Sequence, residues 1–191
     1  QGCRFIRENR DNPFILFVSF IEPHSPFFGP RDEQYDPASI PLPPTFETPP
    51  TALQPRKARW NAEHYRQHGV DNRPLKTEAD WRALRARYYG LCSLIDTHAG
   101  RILDTLEECG LADSTIVVFS SDHGEMFGAQ GRRAKNTFYD EAVRVPFLVR
   151  WPGRAAAGAA CDACLGTADI MPTLLSMMGL PIPDRVEGMD L

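Results

Sequence analysis

Four side chains in this sequence could do chemistry, and they lie in three separate loops. Asp122 and His123 are adjacent, and a carboxylate oxygen beside an imidazole nitrogen can bind a divalent cation. His24 lies between two prolines and could bind an anion or protonate a leaving group. Lys135 follows a glycine-punctuated loop and could place its charge on a sulfate or phosphate oxygen. These residue types therefore suit a site for a divalent cation and an anion.

Each candidate also has a simpler structural interpretation. Asp122 could cap a turn beside a surface histidine, and His24 could be a solvated loop residue. Lys135 could belong to a solvated basic turn with Arg132 and Arg133. Two ligands are also too few, because a divalent cation takes roughly four to seven donors. Further ligands must come from elsewhere in the fold, from substrate or from water.

The five cysteines indicate little further chemistry. Cys161 and Cys164 have C-x-x-C spacing, but no second Cys or His pair follows them, so we expect neither a zinc site nor a redox role. An odd, scattered set of cysteines in a chain this long is not typical of a disulfide framework.

Apolar patterns predict the elements that must position these loops. The apolar stretch 13–22 predicts a strand buried on both faces, and a proline-rich irregular excursion follows it over 23–60. Apolar residues at intervals of three and four from Glu78 predict a helix about 45 Å long that stops at Gly110. Further strands are predicted over 115–120 and 145–150, and helices over 137–142 and 169–179.

The alternation of strands and helices predicts an α/β fold with a mostly parallel sheet sandwiched by helices. In such folds, ligands bind beyond the carboxyl ends of strands. This rule selects the residues after Ile21 and those after Ser120, which are where His24 and the Asp122–His123 pair lie.

Composition and charge exclude some classes of binding partner. The chain has 191 residues, 42% of them hydrophobic, with 21 Lys+Arg against 25 Asp+Glu and a formal net charge of −4. This balance predicts no nucleic-acid partner. No stretch approaches the ~20 apolar residues that a membrane span needs. The first eleven residues show neither an initiator Met nor a secretory signal, so we expect an excerpt of a longer protein whose cellular location stays open.

Five blocks in one order resemble the sulfatase and phosphonate monoester hydrolase families of the alkaline-phosphatase superfamily. The first block is the apolar stretch from residue 13 that runs into Pro-His-x-Pro. The third block is the apolar stretch from residue 115 that runs into Ser-Ser-Asp-His-Gly-Glu. The five blocks lie at 13–27, 88–101, 115–125, 144–153 and 168–174.

The resemblance implies an alkaline-phosphatase/sulfatase-like partial domain, with 1–191 as the middle and C-terminal portion of one catalytic domain. It implies hydrolysis of a small-molecule or saccharide sulfate or phosphonate ester by a formylglycine nucleophile beside one divalent metal, Ca²⁺ in the first place and Mn²⁺ otherwise. By position, Asp122 and His123 resemble metal ligands. His24 and Lys135 resemble the catalytic groups that hold the ester's oxygens and assist the leaving group.

The family's nucleophile block, C-x-P-x-R or S-x-P-x-R with paired acidic ligands, is missing from this sequence. We therefore expect a fragment of a metal-dependent sulfuric ester hydrolase that is inactive alone, with the formylglycine in the missing N-terminal part. Three alternatives stay open. They are a phosphonate or phosphate ester hydrolase, a two-metal phosphodiesterase or phosphomutase, and a non-catalytic binding protein that keeps the fold. The parent could also be an oligomer.

Overall fold

In the computed structural model, residues 1–70 and 73–191 are described, and they contain five α-helices and two strands. The chain divides into two compact units, Gln1–Arg154 and Ala155–Leu191. The last helix lies in the second unit, and all the other helices and both strands lie in the first. The helices are α1 (Gly2–Glu8), α2 (Arg56–His68), α3 (Glu78–Glu108), α4 (Asp140–Val143) and α5 (Thr167–Met177), and the strands are β1 (Val117–Ser120) and β2 (Phe147–Arg150).

Helix α3, with 31 residues, is the longest element of the first unit, and the prediction for it is confirmed. A capping box begins it: the Thr77 hydroxyl accepts from the Asp80 amide at 3.2 Å, and the Asp80 carboxylate accepts from the Thr77 amide at 2.8 Å. Hydrogen bonds to the Asp80 carboxylate, from the Thr77 amide first and then from the Thr77 hydroxyl, lower the pKa of Asp80. Gly110 ends the helix with a φ of +69°, a conformation that glycine adopts without steric cost.

The core lies along one face of α3. Trp81, Leu84 and Leu91 of this helix are buried against Phe27 and Phe127. Because Phe27 follows His24 closely and Phe127 follows His123 closely, both candidate loops are fastened to the same helix face. Aromatic contacts strengthen this packing, with ring centroids of Phe27 and Phe127 5.2 Å apart.

The two strands pair in the opposite sense to the prediction. Val117 lies opposite Arg150 and Ser120 opposite Phe147, which is an antiparallel register. A parallel pair needs a crossover that brings the chain back to the starting end of the sheet, usually along a helix. The connection between β1 and β2, residues 121–146, contains only the four residues of α4 as α-helix, so no long helix carries the chain back along the sheet. Leu148 and Val149 are also partly exposed, so β2 is not the fully buried strand that was predicted.

The prediction of a buried strand over 13–22 is wrong for this chain. The segment is extended, but it pairs with no strand within 1–70 and 73–191. Ile15, Phe17 and Ile21 are 76%, 89% and 82% exposed. The Phe14 ring packs against the Phe5 ring of α1, with ring centroids 5.7 Å apart. An apolar pattern alone does not make a strand, because ladder hydrogen bonds need a neighbour, and none pairs with 13–22 in the described ranges.

The proline-rich excursion is irregular only to Pro55, because α2 begins at Arg56, and this helix was not predicted. The excursion is fastened to α3 by Arg31, whose guanidinium donates to the Ser93 carbonyl at 2.6 Å and to the Thr97 hydroxyl at 2.9 Å. A Cβ on Gly90 would lie 2.3 Å from the Arg31 carbonyl oxygen, so this close approach requires glycine.

In the second unit, α5 covers the predicted C-terminal helix. The Asp169 carboxylate accepts from the amides of Gly166 and Met189, each at 2.8 Å, which joins the start of α5 to the last residues of the chain. These two bonds, Met189 first, lower the pKa of Asp169. Across the described ranges, no helix has both the length and the apolar character needed to cross a membrane.

Candidate active site

His24 and Lys135 meet in the structure. The Nζ atom of Lys135 lies 3.1 Å from Nε2 of His24, although 111 residues separate them in the chain. Nδ1 of His24 lies 2.7 Å from the Ser25 carbonyl oxygen. Since a carbonyl only accepts, we assign the ring proton to Nδ1, which leaves Nε2 to accept from the lysine ammonium. His24 is exposed and Lys135 half-buried, so an anion could reach both.

Asp122 and His123 also converge. Oδ2 of Asp122 lies 3.4 Å from Nε2 of His123. Nδ1 of His123 lies 2.9 Å from the Gly124 carbonyl oxygen, so this nitrogen carries the proton and Nε2 keeps its lone pair. The other carboxylate oxygen, Oδ1, accepts from the His123 amide at 2.9 Å. One carboxylate oxygen and one imidazole nitrogen therefore remain available on the same side of the loop.

Gly124 is required by a close approach of two backbone segments rather than by a tight turn. Its φ is not positive, unlike that of Gly128 and Gly131 farther along the loop. Its amide donates to the Ala142 carbonyl at 2.8 Å, and a Cβ here would lie 2.0 Å from the Glu141 carbonyl oxygen. The loop that carries Asp122 and His123 is therefore pressed against α4.

The loop between His123 and Lys135 holds strained backbone. Within residues 1–70 and 73–191, all the non-glycine residues with positive φ lie in this loop region. Ala134 and Asn136, which flank Lys135 directly, have φ values of 67° and 65°. Left-handed backbone at an alanine costs roughly 1–2 kcal/mol and persists where the surroundings hold it, which is typical of functional loops.

Two buried arginines brace the same loop. The guanidinium of Arg133 lies 4.9 Å from the Phe27 ring centroid and 5.2 Å from that of Tyr65, and Arg133 is only 8% exposed. Arg132 is buried too, with its guanidinium 5.5 Å from the Tyr139 ring centroid. These cations are therefore held over aromatic rings, so they do not form the solvated basic turn that the sequence left open.

No hydrogen bond or ion pair among the described side chains links the His24–Lys135 pair to the Asp122–His123 pair. In the described part of the chain, no three of His, Cys, Asp and Glu stand close enough to hold a metal ion. Cys161 and Cys164 are exposed and free. Burial raises the pKa of the Cys92 thiol, which keeps it protonated at neutral pH and makes it a poor nucleophile.

A family model named Sulfatase matches residues 2–180 of this chain. The chain belongs to the sulfatase family. An arylsulfatase of Clostridium perfringens is 35% identical over 194 residues, which are 97% of this chain and 38% of the arylsulfatase. A solved phosphonate monoester hydrolase of Agrobacterium radiobacter has a TM-score of 0.81 at 31% identity, over 100% of this chain and 40% of that one.

A third relative is a solved protein in complex with its substrate, D-glucosamine-2-N,6-O-disulfate. It has a TM-score of 0.58 at 28% identity, over 72% of this chain and 29% of that one. This sulfatase-family chain thus spans between 29% and 40% of the length of these three relatives. The predicted fold class, an alkaline-phosphatase/sulfatase-like α/β domain present in part, is confirmed by these likenesses.

Sequence reasoning missed one residue that shapes this sulfatase-family loop. The Glu125 carboxylate accepts a hydrogen bond from the Ala134 amide, immediately before Lys135. It thereby ties the Asp122–His123 end of the loop to the Lys135 end. The sequence signal for Glu125 is its place directly after Asp-His-Gly, at the start of the loop that leads to Lys135.

Proposed function

We propose that this chain supplies two parts of a sulfatase active site, with Asp122 and His123 as metal ligands and His24 and Lys135 as the groups that hold the ester's oxygens. The full-length protein then hydrolyses sulfate esters with a formylglycine nucleophile that lies outside this chain, and residues 1–191 belong to one catalytic domain. The observation that carries the proposal is the 3.1 Å contact between Lys135 and His24, which brings together two candidate residues that are remote in the sequence.

The donor set fits a divalent metal. Oδ2 of Asp122 and Nε2 of His123 are 3.4 Å apart, and the Nδ1 hydrogen bond to Gly124 keeps the lone pair of Nε2 free. Ligand histidines commonly donate their second nitrogen in this way. A bound metal would stabilise negative charge on the ester's non-bridging oxygens. We propose Ca²⁺, with Mn²⁺ as the alternative, and the remaining ligands come from outside this chain.

Lys135 and His24 hold the proton that the leaving group needs. In the observed arrangement, the proton in their contact belongs to the lysine ammonium, because Nε2 of His24 accepts. An ester oxygen that enters this contact therefore meets the Lys135 ammonium first. His24 can protonate an alkoxide leaving group only after Nε2 has gained a proton from solvent, while Lys135 keeps its charge on the ester's oxygens.

A sulfated saccharide is the substrate class we propose. The relative solved with D-glucosamine-2-N,6-O-disulfate supports this choice. The exposed His24 is also reachable by a bulky ester. Phosphonate monoesters are the second candidate, and the TM-score of 0.81 with a phosphonate monoester hydrolase favours it.

Hydrolysis assays on the full-length protein and on the 191-residue chain test this proposal. Nitrophenyl sulfate and a nitrophenyl phosphonate are supplied in turn, with Ca²⁺ or Mn²⁺. We expect metal-dependent turnover of the sulfate by the full-length protein and none by the chain alone. A preference for the phosphonate would select the second candidate. Turnover by the chain alone would refute the external nucleophile, and inactivity of the full-length protein would favour a binding protein.

A further inference from the structure

Helix α2 carries three rings in a row that the proposed active site does not use. Trp60, His64 and His68 follow one another at four-residue steps, so they lie on one face of the helix. The Trp60 and His64 ring centroids are 4.7 Å apart with planes 17° from parallel. The centroids of His64 and His68 are 4.6 Å apart at 22°.

The hydrogen bonds of this pair leave a metal-binding nitrogen free. Nδ1 of His68 lies 3.1 Å from the His64 carbonyl oxygen, one turn back along the helix. Since the carbonyl accepts, Nδ1 carries the proton and Nε2 of His68 keeps its lone pair. Ligand histidines are usually oriented by a hydrogen bond of this kind to a backbone carbonyl. His68 is exposed and His64 half-buried, so an ion can approach from solvent.

We propose that His64 and His68 bind one divalent transition-metal ion, of the class of Cu²⁺, Ni²⁺ or Zn²⁺, with water completing its coordination. Two imidazoles one helical turn apart are the arrangement that histidine pairs on helices use to hold zinc. The stacked rings turn about their Cβ–Cγ bonds so that both lone pairs meet the same ion. Imidazole suits these ions and follows their usual affinity order, in which Cu²⁺ binds most tightly.

This site differs from the Asp122–His123 pair in place and in chemistry. It lies on α2, and both of its ligands are nitrogens. Ca²⁺ prefers oxygen ligands and two imidazoles offer it none, so a large excess of Ca²⁺ should not compete here. The proposal therefore stands or fails independently of the proposed hydrolase activity.

Trp60 supplies a direct readout. Its ring stacks on His64, so a paramagnetic ion held by the pair quenches its fluorescence. The 191-residue chain is used with Cys161→Ser and Cys164→Ser, because exposed thiols bind the same ions. Ni²⁺ and Cu²⁺ are titrated with excess Ca²⁺ present, and calorimetry gives the stoichiometry. We expect one ion per chain at this site and loss of the quenching signal in Trp60→Phe.

Matched variants locate the ligands. His64→Ala and His68→Ala should each weaken Ni²⁺ binding at least about tenfold, the low end of what even an outer-shell change costs a metal site. His98→Ala should leave the affinity unchanged. The double variant His68→Ala with Arg66→His keeps the number of histidines but moves one off the shared face, and it should bind as weakly as His68→Ala. Circular dichroism checks that the helix content is retained, and the exposed His68 serves if His64→Ala unfolds. Unchanged affinity in His68→Ala, or full affinity in the double variant, would overturn the proposal.

Discussion

The Lys135 ammonium donates to Nε2 of His24 across 3.1 Å, and backbone on both sides holds the two residues there. Ala134 and Asn136 carry left-handed φ values next to the lysine, and the histidine proton is held by the Ser25 carbonyl. The contact therefore comes from two constrained loops and not from two free side chains that happen to meet.

Lys135→Ala should lower kcat/KM of the full-length protein for nitrophenyl sulfate by about 10²- to 10³-fold, the cost of removing one charge-stabilising donor from an active site. The reason is that the ester oxygens lose the cation that the contact presents. Lys57→Ala, on the exposed side of α2, is the matched control and should leave the rate unchanged. Equal rates for Lys135→Ala and Lys57→Ala would show that Lys135 does not act in the active site.

Gly124→Ala should impair metal use by the full-length protein. The added Cβ would lie 2.0 Å from the Glu141 carbonyl oxygen, so the loop that carries Asp122 and His123 must move. The metal concentration for half-maximal activity should rise about 10- to 100-fold, the scale seen when ligand support is disturbed. Activity titrations with Ca²⁺ and Mn²⁺ measure this. An unchanged metal requirement would mean that the loop position does not matter to metal binding.

Gly90→Ala and Gly100→Ala test how the excursion is fastened to α3. Gly100 has nothing within 4 Å of an added Cβ, so alanine should raise the free energy of unfolding by about 0.5–1 kcal/mol through helix propensity. Gly90→Ala brings a Cβ 2.3 Å from the Arg31 carbonyl oxygen and should lower it by about 1–3 kcal/mol. Urea unfolding of the two variants gives the sign. A stabilising Gly90→Ala would show that the excursion does not lie against this helix.

Asp80→Asn should lower the free energy of unfolding at neutral pH and change it little in acid. The pKa of Asp80 is lowered from its ordinary value of 3.8 in the folded state, so the charged carboxylate contributes stability above pH 3.8. That contribution is lost as the pH falls through the lowered folded-state pKa. The variant should cost about 1 kcal/mol at pH 7, the scale of a helix cap. Urea unfolding at pH 7 and below pH 3 measures both. A difference that persists in acid would contradict the capping role.

Local patterns predicted the long elements of the fold well. The apolar spacing and Gly110 predicted α3, because a helix buries a stripe whose period is visible in the sequence. Sheet pairing could not be predicted in this way. The apolar run over 13–22 reports burial on two faces, yet strand order and direction depend on neighbours, and none pairs with it in the described ranges.

Sequence could select His24 and the Asp122–His123 pair because they follow apolar stretches, and Lys135 because it follows the glycine-punctuated loop. The structure then brings His24 to Lys135. The roles of Glu125 and of the left-handed residues beside Lys135 could not be predicted. They depend on how the loop returns, which no periodic pattern records. The α2 helix was hidden by its position directly after the proline-rich excursion.

The most direct measurement is sulfate-ester hydrolysis by the full-length protein, compared with its Asp122→Ala variant, before and after chelation and readdition of Ca²⁺ or Mn²⁺. We expect turnover that is lost on chelation, restored by the metal, and not restored in the variant, because Asp122 supplies one of the ligands. Turnover in Asp122→Ala at the unaltered rate and metal requirement would contradict the assignment of the metal site to this chain.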